Sequence, residues 1–396
     1  GNQTTTSVTG TGAANATLNY TITGTSGSVS GTGTVSSDGV INVTNINVTS
    51  LPDGALTLTV NLTSGGYSSA NATASSFKDT AVPSQANGLT ITNPINNSDK
   101  AAVAISGTAE TGSTVNWTIS NSGFSVSGST TGGAFSVTNI NVSALPDGVL
   151  TLTVTVTDSA GNTSTTATAT STKDTVAPIV NAGSDVSRNV TFDTSSTVSD
   201  PSPSSGGLIY LWSKQSGPGN ITFGSAASQN TAVSASQDGV YVIRLTVSDN
   251  AGNSAFSEFS LNWDTQVPTV SAGSDVTTNA LFTQTGVVTD PSPSSGIATI
   301  AWTQVSGPGT VTFGTATATT TTASADAGGV YVIKLTVTDN AGNSANSTVS
   351  FTWDTTAPIV SAGAAPSPKN ALFTQAGSAA DATSGLASTV WTQVSG

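Results

Sequence analysis

The sequence predicts an all-β chain of tandem Greek-key β-sandwiches arranged as an elongated rod, and three observations predict it. The first is composition. Charged residues are only 7% of the chain, against about 25% in an ordinary soluble domain. Thr and Val dominate the periodic stretches, and β-branched side chains lose rotamer freedom in helices but pack well on a pleated surface. The second is periodicity. Tyr241, Ile243, Leu245 and Val247 alternate with Val242, Arg244 and Thr246, the period of two that half-buried strands require. The third is repetition. Lys-Asp-Thr at Lys78–Thr80 returns at Lys173–Thr175, and Trp-Asp-Thr follows at Trp263–Thr265 and Trp353–Thr355.

The repeats divide the chain. Each marker is followed closely by a proline, at Pro83, Pro178, Pro268 and Pro358, which suits a linker or the first residue of an edge strand. The marker acids Asp79, Asp174, Asp264 and Asp354 are 95, 90 and 90 residues apart, the size of one small β-sandwich. The expected modules are therefore 1–79, 80–174, 175–264, 265–354 and 355–396. The first aligns to the second only from Val8 against Ile105, so its first strand is expected to be missing. The last stops shortly after Trp391. The window thus reads as opening and closing mid-module, an excerpt of a longer chain or a subunit completed by a strand from a neighbour.

Two module types appear. Modules one and two share the run from Asn45 to Val60 and from Asn139 to Val154, with Leu-Pro-Asp-Gly at its centre. Modules three and four align at a constant offset of 90, Trp212 with Trp302, Gly217 with Gly307, Tyr241 with Tyr331 and Asp249 with Asp339. The strand from Tyr241 ends in Asp-Asn-Ala-Gly-Asn at 249–253, a strong hairpin signal. Trp117, Trp212, Trp302, Tyr241 and Tyr331 are expected in the cores, while Trp263 and Trp353 abut the linkers and are expected to pack at module junctions.

These motifs carry a family resemblance. Through LPDG-x-LTLTV-x-VTDSAGN and the KDT-x-x-P linker, modules one and two resemble bacterial Ig-like repeats of giant surface adhesins. Through AGSDV, W-x-x-x-SGPG and YVI-x-LTV-x-DNAGN, modules three to five are similar to PKD or REJ-type Ig-like modules. The resemblance implies an immunoglobulin-like sandwich. It leaves spacer, adhesin and fibre-subunit roles open, since one fold hosts many functions.

Absent residues exclude most chemistry. With no Cys there are no disulfides and no thiolate ligands, and with no His the usual general base and the commonest transition-metal ligand are missing. A Ser/His/Asp triad is therefore impossible. Paired carboxylates could still hydrolyse glycosides, but here the acids recur at equivalent positions module after module, which argues against an enzyme. The net charge of −13 disfavours nucleic acid and anionic lipid as partners. There is no apolar run near 18 residues, no secretion signal and no Met.

The acids themselves form a pattern. In a seven-strand sandwich the BC and FG loops share the pole that meets the preceding linker. In module four that places Asp264 of the linker, Asp290 of the BC loop and Asp339 of the FG turn together. Module three supplies Asp174, Asp200 and Asp249, and module two Asp79, Glu110 and Asp158. From across the junctions, Asp147 is expected to face module three, Asp185 and Asp238 module four, and Asp275 module five, which adds Asp354 and Asp381. Carboxylates gathered with few bases beside them call for a cation. Ca²⁺ fits, taking six to eight oxygen ligands. Asp is also a common turn former, so turn geometry alone could account for these positions. Module one has Ser64 in its FG turn and no acid near Ala13 and Ala14, so both loop ligands are absent together.

Fourteen Asn-x-Ser/Thr sequons, among them Asn42, Asn47, Asn116 and Asn189, are mostly what so Ser/Thr-rich a chain produces by chance. The function read from the sequence is a stalk or fibre of a bacterial extracellular, cell-surface protein, its partners being neighbouring modules and further copies of the chain. The alternatives are a laterally assembled or strand-donating filament or sheath, and a carbohydrate-binding array, for which only Tyr67 and Tyr210 are candidate aromatics.

Overall fold

A computed structural model of the chain describes residues 4–201, 207–368 and 370–394. Every regular element among them is a β-strand, as the composition and period-two alternation require. No helix of the described residues is long and apolar enough to cross a membrane. The chain divides into two compact units, one running to Pro178 with the loops that hold Asp200 and Asp249, the other comprising the remainder.

The first unit contains two sandwiches. In the second of them, a four-stranded sheet of Phe124–Thr131, Thr114–Asn121, Gly148–Thr157 and Ala167–Lys173 faces a three-stranded one of Ala134–Ile140, Val103–Thr108 and Asn87–Ile91. Leu150, Leu152, Val154 and Val156 point inward from one strand, fully buried, and belong to one core cluster with Trp117 and Ile119. The outward residues between them are Thr151, Thr153 and Thr155, half-buried, so one strand supplies both a core face and a more solvated face. The first sandwich repeats the larger sheet around Gly54–Ser64, but its smaller sheet is only the pair Thr5–Thr11 and Val40–Asn47. No counterpart of Asn87–Ile91 pairs with it among the described residues. As a result Ala72–Lys78 is exposed at every residue but Lys78, where its counterpart Ala167–Lys173 is half covered.

The second unit holds the sandwiches of the other type. In the fourth, Ile297–Ser306, Gly329–Asp339, Ser344–Trp353 and Val276–Thr278 form one sheet, the last pairing parallel to its neighbour. Val311–Phe313, Thr320–Ala325 and Phe282–Thr285 form part of the facing layer. Tyr331, Ile333, Leu335 and Val337 are all fully buried, as their alternation predicts. The Tyr331 hydroxyl donates back to the carbonyl of Ala327 at 2.6 Å, and that of Tyr241 to Gln237 at 2.6 Å, the tyrosine-corner bond of immunoglobulin-like sandwiches. The Ser-Gly-Pro-Gly motif serves this corner. Gly307 has φ +148° and lies so close to the Tyr331 ring that a Cβ there would overlap it.

Trp212 and Trp302 are core residues, each 2% exposed, with the indole of Trp302 donating to Ala318 at 3.0 Å. The expected junction role of Trp263 and Trp353 is corrected. The inward alternation Val349, Phe351, Trp353 carries through to the last strand residue, and Trp353 packs in the same buried cluster as Tyr331. Trp263 ends the equivalent run after Phe259 and Leu261 and is buried. Beyond Thr355 the described chain forms only the short pair Ile359–Ser361 and Ser378–Ala380, and Trp391 is exposed.

Candidate metal centres

Three separate elements supply each acid set. In the fourth sandwich, the strand Ser344–Trp353 pairs with Thr278 and Gly329 at its end, and the preceding equivalent strand delivers the chain to Asp264 at the linker. Asp264 Oδ1 accepts the Gln266 amide at 3.0 Å, which closes a tight Asx turn, and Oδ2 accepts the Ser295 amide at 2.8 Å. Asp290, in the connector before Ile297–Ser306, turns Oδ2 to the Gly296 amide and the Ser294 hydroxyl, both at 2.7 Å. Asp339 ends the strand Gly329–Asp339, and its Oδ1 accepts the amides of Gly342 at 2.7 Å and Asn343 at 2.8 Å. These bonds fold the hairpin and aim all three carboxylates at one spot.

One carboxylate oxygen of each residue in Asp264, Asp290 and Asp339 lies within 4.8 Å of those of the other two, and the same holds for Asp174, Asp200 and Asp249. Asp174 and Asp264 are fully buried, and Asp249 and Asp339 are 2% exposed. Among the described residues no ion pair reaches Asp264, Asp290 or Asp339. Asp290 Oδ1 is buried and has no hydrogen-bond partner. A buried carboxylate oxygen without a partner is costly, and two further carboxylates beside it raise that cost. The donor set is hard oxygen throughout, suited to Ca²⁺ or Mg²⁺ and unsuited to thiophilic or imidazole-seeking metals.

A neutral side chain completes each centre and is not evident from acid spacing. Asn343 Nδ2 donates to Asp339 Oδ2 and to the main-chain carbonyl of Asp264, both at 2.8 Å. Asn253 does the same for Asp249 at 2.8 Å and Asp174 at 2.9 Å. The signal was present in the sequence: each is the final Asn of an Ala-Gly-Asn turn, four residues past the FG acid.

The other acids are placed differently. Asp79, Glu110 and Asp158 do not form such a set among the described residues. Asn162 Nδ2 does bridge Asp158 Oδ2 at 2.9 Å and the Asp79 carbonyl at 3.1 Å. Glu110, however, sits exposed in the tight turn between Val103–Thr108 and Thr114–Asn121, whose carbonyl accepts from Ser113. That turn is too short to fold back over the linker as the Asp290 connector does. The Asn162 amide group holds the Asp158 carboxyl below its ordinary range, aided by the amides of the turn.

Asp147 and Asp238 act within linkers. Asp147 Oδ2 accepts the Thr175 amide at 3.0 Å and hydroxyl at 2.8 Å, while Oδ1 pairs with the buried Lys173 ammonium. Burial pushes the Asp147 carboxyl up, but Lys173 and Thr175 together outweigh it and hold the group below its ordinary value. Asp238 accepts the Thr265 amide at 3.1 Å and hydroxyl at 3.0 Å. Asp53 holds Thr80 in the same way at 3.0 Å. The marker Thr is therefore the partner of an EF acid. Asp185 and Asp275 are also corrected. Each caps a strand of its own sandwich, accepting the Ser260 amide at 2.7 Å and the Ser350 amide at 2.9 Å, because the first strand crosses between sheets beside them. Asp354 Oδ1 accepts the Thr356 amide at 2.9 Å, and Asp381 Oδ1 the Thr383 amide at 3.0 Å. The amides of Thr383 and Ser384 hold the Asp381 carboxyl low.

The fold defines the class: a chain of tandem immunoglobulin-like β-sandwiches. Residues 73–175 match the family model of the bacterial Ig-like domain, and residues 182–262 and 272–352 each match a family model of the PKD domain. No curated protein is a significant match to the chain. Among solved structures, it is similar to the tetra-tandem repeat in the extending region of a large adhesion protein, at 23% identity and a TM-score of 0.34, covering 89% of this chain and 96% of that one. A Ca²⁺-stabilized adhesin that helps an Antarctic bacterium reach out and bind ice is 22% identical with a TM-score of 0.35, covering 89% of this chain and 94% of that one. The three N-terminal domains of the bacteriophage RB49 highly immunogenic outer capsid protein are 14% identical with a TM-score of 0.37, covering 68% of this chain and 99% of that one.

Proposed function

We propose that this chain is a stalk segment of a bacterial extracellular surface protein, built from modules bounded at 79, 174, 264 and 354, and that Ca²⁺ at the two acid sets ties each linker to the module that follows it. The chain has no part in catalysis on this reading. It acts by position, holding whatever lies beyond it at a distance from the cell.

The observation that carries the reading is the buried, partnerless Oδ1 of Asp290 beside oxygens of Asp264 and Asp339. An ion there would take ligands from a linker, a connector and a hairpin at once. It would therefore resist any bend that separates the linker from the module body. The same donor set 90 residues earlier makes this a property of successive junctions. The first sandwich has Ser64, Gly65, Gly66 and Tyr67 in place of the acidic hairpin, so its own entry does not depend on an ion.

Ligand bound only by the folded, aligned state stabilises it by about 2.7 kcal/mol at a hundredfold excess over Kd. Chelation of the full chain is thus expected to lower the melting transitions of the third and fourth sandwiches and to broaden the distribution of inter-module angles in electron micrographs. The first sandwich should melt as before. Equal melting curves and equal angle distributions in Ca²⁺ and in chelator would remove the basis for the proposal.

A further inference from the structure

The side-chain amide of Asn343 meets a third partner from outside its own sandwich. Its Oδ1 accepts a hydrogen bond from Nδ2 of Asn189 at 2.9 Å. Asn189 follows the strand Val186–Arg188 of the sandwich before. The single amide therefore joins the linker carbonyl of Asp264, the hairpin carboxylate of Asp339 and a loop of the preceding sandwich. The arrangement recurs one junction earlier with different hardware. Asn253 Oδ1 accepts from the main-chain amide of Asn97 at 3.0 Å, and Asn96 Nδ2 donates to the Ala251 carbonyl at 3.0 Å.

The hairpin is shaped to allow this approach. Gly342 has φ +100° and a Cβ there would meet the Asn189 side chain at 3.8 Å, while Gly252, at φ +96°, faces Asn96 at 3.2 Å. By contrast, no donor reaches Asn162 Oδ1 among the described residues, although Asn162 makes both inward bonds. Among the described residues, the outward bond is thus found only where three carboxylates gather.

We propose that Asn189 is a positioning residue for the Asp264, Asp290 and Asp339 centre, acting through Asn343, so that the preceding sandwich tunes how tightly the centre holds its cation. The inference rests on the Ca²⁺ reading above. Fixing Oδ1 of Asn343 from outside orients Nδ2 on both the linker carbonyl and the Asp339 carboxylate, and so holds two of the three ligand-bearing elements in register. Groups that orient ligands set metal affinity although they never touch the metal. The coupling is reciprocal: a bound cation favours the docked loop by the same factor that the docked loop favours the cation.

The test is a calorimetric titration of the full chain with Ca²⁺ alone, comparing wild type, Asn189→Ala and Asn97→Ala. Loss of one hydrogen bond of this kind weakens binding roughly threefold to tenfold. Asn189→Ala is expected to weaken one of the two sites by about that factor, with its melting transitions in chelator lowered by no more than the loss of one hydrogen bond. Asn97→Ala keeps its main-chain donor and is expected to leave both sites as in wild type. Two wild-type-like sites in Asn189→Ala would overturn the inference and leave the Ca²⁺ reading standing. Equal weakening by both substitutions would also overturn it, since a side-chain donor would then not be the cause. A wild-type chain that takes up no Ca²⁺ would overturn both.

Discussion

Trp302→Ala is expected to destabilise the fourth sandwich by about 3–5 kcal/mol, most of what one small module has. Trp302 lies opposite Leu335 in the central strand pair, on the inner face that also presents Tyr331 and Ile333. Truncation opens a cavity between two sheets whose other contacts are already made. It also strips the Ala318 carbonyl of the indole donor that reaches it at 3.0 Å. Calorimetry of the full chain should show one transition moved far down or lost, with those of the other sandwiches little changed, as expected where each module has its own core. A shift below about 1 kcal/mol would mean that the two sheets close over the gap, and that the core does not depend on this residue.

Asp339→Ala is the second large effect, and it divides into two parts. Three donors lose a carboxylate acceptor together: the amides of Gly342 and Asn343 and the Nδ2 of Asn343. The buried Asn343 main-chain amide loses its acceptor outright, while Gly342 keeps the Asp339 carbonyl and Asn343 Nδ2 keeps the Asp264 carbonyl, so a loss of about 2–3 kcal/mol is expected even in chelator. The carboxylate is also one of three proposed ligands, so any remaining transition should no longer respond to Ca²⁺. Asp290→Asn separates the two parts. Its Oδ2 makes the bonds at 2.7 Å and its Oδ1 makes none. That substitution is therefore expected to raise the melting curve in chelator modestly, because it removes one of three crowded charges, while removing most of the Ca²⁺-dependent shift. Melting curves of both variants, with and without Ca²⁺, distinguish a hairpin acid from a ligand acid.

The fold was legible because each of its signals is local. Period-two runs such as Tyr331 to Val337 are decided by neighbouring residues, and the linkers announce themselves by their own short motifs. Trp353 was harder to place, because its position after a long strand reads as an edge, and only the phase of the alternation from Val349 puts it inside. The proximity of Asp264, Asp290 and Asp339 follows from topology, which puts two loops and the linker at one pole. The same topology did not suffice for Glu110, because the length of its turn decides whether a side chain can reach back. Nor did it suffice for Asp147 and Asp238, whose partners are the hydroxyl and amide of the next linker Thr. An acid count treats every carboxylate as a ligand in waiting. Here several are spent on backbone amides, and the Asn residues that organise the centres carry no charge to draw notice.

The most direct test of the Ca²⁺ assignment is a high-resolution crystal structure of the chain grown with Ca²⁺ in excess. One ion is expected among Asp264, Asp290 and Asp339 and another among Asp174, Asp200 and Asp249, each with carboxylate oxygens at about 2.3–2.6 Å, and with Asp290 Oδ1 among the ligands. The same carboxylate arrangement holding only water, or closed by a hydrogen-bond donor on Asp290 Oδ1, would contradict the assignment.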